Sequence, residues 1–263
     1  MKHFALILSY DGSRYRGWQR QGNTGNTIQA KLIEVIERAF EQPVDLQGAS
    51  RTDAGVHAFH QVASVSLATS LSSEEVKARI NQYLPEDISV IECLAVGESF
   101  HVRHQVISKT YRYRLYESPK PDVFERGREW TVRGPLNVAR MQQALPVLLG
   151  KHDFAGFTVG SSTKKTVRTI QEIRIEQLPA TEGRRFDVII RGDGFLHHMI
   201  RLIVGTLYGI GTGELPVSRL EEILNTGNRS LAILAPPDGL MLMDITYPEG
   251  WSTTASKRQK HVK

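Results

Sequence analysis

Residues 44–68 read VDLQGASRTDAGVHAFHQVASVSLA, and the parsing of this stretch governs the fold. VDLQGAS at its start and QVASVSLA at its end carry the alternation and β-branched residues of strands. Between them, Arg51-Thr52-Asp53-Ala54-Gly55 is made of small and polar residues that suit a turn. Paired strands joined this closely point to antiparallel sheet, away from alternating strand–helix–strand units. The turn also sets a carboxylate, Asp53, two residues after an arginine, with His57 and His60 just downstream.

Toward the N-terminus, HFALILSY (3–10) alternates as a strand, and DGSRYRGWQ is a glycine-punctuated turn. Asn26 and Gln29 have the spacing of a capping box, followed by Ile28, Leu32, Ile33, Ile36 and Phe40 at helical spacing. Toward the C-terminus, Ser72 with Glu75 predicts a helix to about Leu84, then strands at 88–96 and 106–117. Residues 136–150 predict a helix that Pro146 kinks or shortens. TIQEIRIEQL and FDVIIRG predict strands, FLHHMIRLIVGTLYGIG an apolar helix, and GLMLMDITYP a last strand. The order strand, helix, paired strands, helix, strand thus occurs roughly twice. The expected fold is α+β: two similar subdomains, residues 1–105 and 106–250, each of largely antiparallel mixed sheet flanked by helices. The remaining residues, 251–263, are expected to form a disordered basic tail.

A chain of 263 residues with 40% hydrophobic content buries a substantial core without difficulty. No apolar run reaches the roughly 18 residues of a membrane-spanning helix. MKHFALILSYDG reads as a first strand and not as a signal peptide. The lone Cys93 excludes an internal disulfide and a multi-cysteine metal site, lies in an alternating apolar segment, and agrees with a reducing cytoplasm. No dinucleotide or phosphate-loop signature is present. Of the net +5, Lys257, Arg258, Lys260 and Lys263 supply four charges, leaving +1 on residues 1–250. Distribution therefore says more than the total. Three stretches contain bases and no acid: 12–33 with Arg14, Arg16, Arg20 and Lys31; 99–116 with Arg103, Lys109, Arg112 and Arg114; and 157–171 with Lys164, Lys165 and Arg168. Any one of them would ordinarily be a solvated face. Interleaved with Tyr15, Trp18, Tyr111 and Tyr113, they suit an RNA surface, where phosphates are neutralised and unstacked bases lie on rings.

The turn at Asp53 has an ordinary reading, in which Asp53 caps a turn and His57 is a satisfied strand histidine. A metal reading would use His57, His60 and Asp53, but residues three apart on a strand face opposite sides of the sheet. His197-His198, if helical, would diverge by roughly 100°. No metal site is expected. A nucleophile reading fits better: an aspartate is ionised at neutral pH unless buried unpaired, and a nearby arginine holds it ionised in a pocket. A lone carboxylate suits attack on, or stabilisation of, an electrophilic sugar carbon. Arg201, within an otherwise apolar helix, needs a counter-ion, and Asp53 is a plausible one.

The stretch ASRTDAGVHA resembles the catalytic motif of the pseudouridine synthase superfamily in its tRNA pseudouridine synthase A form. YDGSRYRGWQRQ, SKTYRYRLY, GKHDFAGF, GFLHHMIRLIVG and APPDGLMLMDITYP agree with that family, so the resemblance spans about residues 3–248. One departure is Ser50, where the family usually has glycine; serine is small and turn-compatible, and a modest effect on the loop is expected. The resemblance implies a cofactor-free isomerisation of uridine to pseudouridine at positions 38, 39 and 40 of the tRNA anticodon stem-loop. It implies a homodimer and an RNA-binding cleft between the subdomains. Carried over, Asp53 is the essential carboxylate, Tyr111 packs on the target base with Tyr113 the alternative, and Arg201 pairs with the aspartate. Arg51 orders the loop and contacts RNA, and Leu240 forms an apolar wall of the base pocket. Arg14, Arg16, Arg20, Arg103, Lys109, Lys164, Lys165 and Arg168 would grip the RNA.

Overall fold

The alternation at the N-terminus forms strand β1 (Lys2–Tyr10) in a computed structural model of the chain, which describes residues 1–160 and 165–252. Among the described residues are ten β-strands and five α-helices, a mixed α+β fold whose strands are mostly antiparallel. They fall into two units, residues 1–107 with the chain from Leu242 onward, and residues 108–241. Lys164 and residues 253–263 of the basic tail lie outside the described residues.

In the first unit β1 is central. It pairs antiparallel with β4 (Ile88–Val96) on one side and with β3 (His57–Leu67) on the other. Phe4 to Leu8 are all buried, as a strand covered on both faces requires. Next to β3 runs β10 (Leu240–Thr246), and short β2 (Leu46–Gly48) pairs with residues 63–65 of β3. This register ends the β2–β3 ladder just before the Arg51–Gly55 turn. Helix α1 (Ile28–Phe40) buries Ile28, Leu32, Val35, Ile36 and Ala39, a stripe at helical spacing. Its cap differs from the expected one. Thr27 is the N-cap and accepts from the Ala30 amide, because the Gln29 side chain turns inward to accept from the Arg20 amide and donate to the Leu46 carbonyl. The Ser72–Glu75 capping box forms as expected ahead of α2 (Ser73–Asn81), which packs on β4.

The second unit orders its strands β5 (Ser108–Glu117), β9 (Arg184–Gly192), β8 (Val167–Leu178) and β7 (Gly150–Asp153), all antiparallel. β6 (Trp130–Val132) joins β5 in parallel. Tyr111, Tyr113 and Leu115 alternate inward beside Phe186, Val188 and Ile190. Helix α4 (Met199–Thr212) is buried along most of its length and contacts α3 (Val138–Ala144) and α5 (Arg219–Thr226), the latter not anticipated from sequence. The helix expected over 136–150 ends at Ala144, where Pro146 sits in a 3-10 turn over Leu145–Leu148. The helix expected from Phe195 starts only at Met199, because His198 adopts φ +64°. His197 and His198 therefore precede α4, and their ring centroids lie 3.9 Å apart instead of diverging around a helix.

The outer face of β5 and β9 is charged. Arg114 donates from Nε and Nη2 to the two carboxylate oxygens of Asp187 at 2.7 and 2.8 Å. Arg185 binds Glu129 at 2.7 Å and Asp122 at 3.0 Å, with its guanidinium over the Tyr116 ring. The stretch 99–116 is free of acids along the chain, yet Arg114 meets its acid across the strand pair. Burial lowers the pKa of the neighbouring Arg112. Neither arginine presents the solvated cation expected of an RNA-gripping run.

Candidate functional site

The chain leaves β2 at Gly48 and enters β3 at His57, and the intervening loop carries Asp53, which is half-buried. Its floor is the glycine-punctuated turn that follows β1. The Trp18 amide donates to the Thr52 carbonyl at 3.0 Å, the Gly55 amide to the Tyr15 carbonyl at 3.3 Å, and the Val56 amide back to the Asp53 carbonyl at 3.2 Å. Gly12 lies so close to Val56 that a Cβ would collide with its carbonyl. Gly17 combines φ +95° with an approach that would set a Cβ 2.8 Å from the Thr52 oxygen. Only glycine satisfies both conditions at residue 17. The stretch 10–18 is thus a pedestal for the Asp53 loop.

Buried polar groups hold the loop from the strand side. Tyr10 Oη lies 2.8 Å from Thr52 Oγ1. Gln61 accepts from the Ser50 amide and donates to the Ser50 carbonyl. Ser50, in the place usually held by glycine, is accommodated as a buried residue. Arg51 is exposed beside it. His57 is 1% exposed, with Nδ1 3.2 Å from an Asp11 carboxylate oxygen and accepting from the Gly12 amide. His60 instead faces Asp244, 3.7 Å away.

In the second unit the two candidate tyrosines of β5 are distinguishable. Tyr113 is 0% exposed, donates its hydroxyl to the Pro236 carbonyl at 2.8 Å, and meets Trp130 edge-on. Burial raises its phenol pKa well above the ordinary value, opposed by the nearby Arg201 charge. Tyr111 is 6% exposed and packs edge-on against Phe195, with centroids 5.3 Å apart. Arg201, in the first turn of α4, donates from Nε to the Ala235 carbonyl at 2.8 Å, and the Ala235 amide returns a bond to the Arg201 carbonyl. This reciprocal pair fixes the guanidinium stem near Tyr113. Leu240 is buried, its amide bonded to the Pro237 carbonyl.

Of the residues expected to grip RNA, Arg14, Arg16, Arg20, Arg103 and Lys165 are exposed, whereas Lys109 and Arg168 are half-buried. Arg168 binds the Lys165 and Val167 carbonyls, and Arg103 Nε binds the Gly48 carbonyl, tying that arginine to the end of β2. The interleaved aromatics do not form an exposed stacking surface. Trp18 and Tyr15 are buried, and the Tyr15 hydroxyl donates to Asp87 at 2.6 Å. Both serve the pedestal. Sequence reading missed Tyr10 and Gln61; a polar Gln61 inside the apolar alternation of β3 was the available signal.

Residues 6–105 and 144–248 match the family model described as tRNA pseudouridine synthase. The chain is 40% identical over 249 residues to a tRNA pseudouridine synthase A 2 of Clostridium perfringens, strain 13, covering 94% of this chain and 100% of that protein. It is 39% identical, with the same coverage, to a tRNA pseudouridine synthase A of Bacillus sp., strain KSM-64.

Proposed function

This chain belongs to the tRNA pseudouridine synthase family, and on that premise we propose that it isomerises uridine to pseudouridine in tRNA, at positions 38, 39 and 40 of the anticodon stem-loop, with Asp53 as its catalytic carboxylate. The observation that carries the assignment is the half-buried aspartate at the crest of a loop held by buried groups on both sides. Such a site presents an anionic oxygen at a fixed height to a substrate from outside.

The reaction breaks the bond between uracil N1 and ribose C1′ and forms one between C5 and C1′. The C5 proton is released and N1 gains one, so composition is unchanged and neither oxidant nor energy source enters. Asp53 acts on C1′ or forms an adduct with the base. Tyr111 lies against the target base; the interior tie of Tyr113 to Pro236 supports this choice over Tyr113. Arg201 is the cationic partner of the aspartate, Leu240 an apolar wall against the base, and Arg51 a contact of the loop with RNA. A uridine stacked in a stem must be extruded first, at a cost of a few kcal/mol. The exposed Arg14, Arg16, Arg20, Arg103 and Lys165, with Lys109, Lys164 and Arg168, hold the phosphates meanwhile. The active form is a homodimer in the cytoplasm, which doubles the basic surface available to one tRNA.

The test is mass-spectrometric mapping of uridines in unmodified tRNA exposed to the purified protein. Pseudouridine at 38–40, formed equally in excess EDTA, is the expected result. Tight tRNA binding without any pseudouridine would make the chain an RNA-binding module instead.

A further inference from the structure

We propose that Gln61 and Tyr10 are positioning residues that set the Asp53 carboxylate for reaction, acting through Ser50 and Thr52. The inference rests on the reading of Asp53 as the catalytic carboxylate.

Gln61 is 0% exposed, in a strand whose other buried residues beyond His57 are apolar. A buried primary amide must have its donors and acceptor matched, and here they are used on the loop. Oε1 accepts from the Ser50 amide at 3.1 Å and the Val62 amide at 3.2 Å. Nε2 donates to the Ser50 carbonyl at 2.7 Å and lies 3.5 Å from Tyr10 Oη. One side chain therefore holds both backbone polar groups of Ser50, as a neighbouring strand would. It does so beyond Gly48, where β2 ends and the Ala49 amide makes its bond to the Val62 carbonyl. The amide continues the ladder by one residue and lets the chain turn away after it. Two residues on, the Tyr10 hydroxyl meets the Thr52 hydroxyl, and the Trp18 amide holds the Thr52 carbonyl. Ser50 and Thr52 are thereby fixed by groups from β3, from β1 and from the pedestal. Asp53 is the next residue, and its carboxylate can move only as far as those anchors allow. A hydrocarbon of similar shape at residue 61 would fill the space while leaving the Ser50 amide and carbonyl unmatched. A fully satisfied buried network of this kind specifies one conformation more than it adds stability.

The experiment compares Gln61→Met and Tyr10→Phe with the unaltered protein, measuring single-turnover pseudouridine formation, equilibrium tRNA affinity and the melting temperature on the same preparations. Gln61→Met is expected to lower the rate about 100-fold, the loss associated with a carboxylate misplaced by about 1 Å, with tRNA affinity within about twofold. Tyr10→Phe keeps the ring that packs 6.1 Å from Trp18 and removes one hydroxyl, for an expected loss of about tenfold in rate. This milder variant decides the matter should Gln61→Met fail to fold. A folded variant turning over within about twofold of the unaltered protein would overturn the proposal, as would a rate loss matched by an equal loss of tRNA affinity. An unaltered protein that forms no pseudouridine would sink the reading of Asp53 itself, a result distinct from either.

Discussion

Two aspartates in this chain are set in opposite ways. Asp187, on the outer face of β9, is nearly buried and has both carboxylate oxygens on Arg114. The pairing locks two strands together and raises the arginine's pKa further above its usual value. Asp53 stands at the crest of a loop that is fixed chiefly by neutral groups: the Trp18 amide, the Tyr15 carbonyl, the Gln61 amide and the Tyr10 hydroxyl. In the first region charge is matched with charge and serves the fold. In the second, dipoles place the backbone of the loop that carries the carboxylate.

Replacing each aspartate should separate the two roles. Asp53→Asn is expected to lower pseudouridine formation by at least about 1000-fold, measured by mass spectrometry, with a melting temperature within about 2 °C of the unaltered protein. A large stability loss in that variant would place Asp53 with Asp187. Asp187→Ala should do the reverse. It leaves Arg114 without its anion in a largely buried place, so urea unfolding should show a loss of about 3 kcal/mol, with turnover per folded molecule unchanged. Within β5 the contrast recurs on a smaller scale. Tyr113→Phe deprives the Pro236 carbonyl of its donor and should cost about 1 kcal/mol, whereas Tyr111→Phe should leave tRNA binding intact.

The last prediction concerns protons held chiefly by burial, helped at Tyr15 by its bond to Asp87. Burial pushes the Cys93 thiol up to about 12 from 9.0, and the phenols of Tyr15, Tyr113 and Tyr247 upward from 10.0. All four folded-state values exceed the unfolded ones. Their contribution to stability is therefore complete below about pH 9 and is lost as pH rises above it. Urea midpoints should fall above about pH 9, and the ionisation of these three phenols seen by absorbance should coincide with unfolding. At pH 8 a thiol reagent should label Cys93 only after denaturant is added. Ionisation of all eight tyrosines in a chain that is still folded would contradict the assigned burial.

Local patterns were legible where the physics is local. Ser72 and Glu75 are three residues apart and cap α2 as their spacing implies, and Pro146 ends α3 where a missing amide must. Asn26 and Gln29 show the limit, since Gln29 found better partners in the Arg20 amide and Leu46 carbonyl, and Thr27 took over the cap. The acid-free stretches misled for the same reason: Arg114 meets Asp187 across 73 residues of sequence. Tyr15 and Trp18 alternate with arginines as an RNA surface would, yet they point inward to build the pedestal. The Asp53 loop was legible as a turn with a carboxylate. Its support was not, because Tyr10, Gly12, Gly17 and Gln61 come from two strands and a separate turn that only the fold brings together.

The chain's return to its first unit has a consequence for synthesis. β10 completes the neighbours of β3, but it follows the whole second unit in sequence. A ribosome at roughly 5–20 residues per second needs on the order of 10 s to cross that interval. During it, β3 lacks one of its neighbours while residues 108–241 emerge as an uninterrupted block able to collapse by themselves. The nascent protein is thus asked to finish its middle before its beginning, and a stall just short of residue 242 would leave an open strand edge on display to other chains.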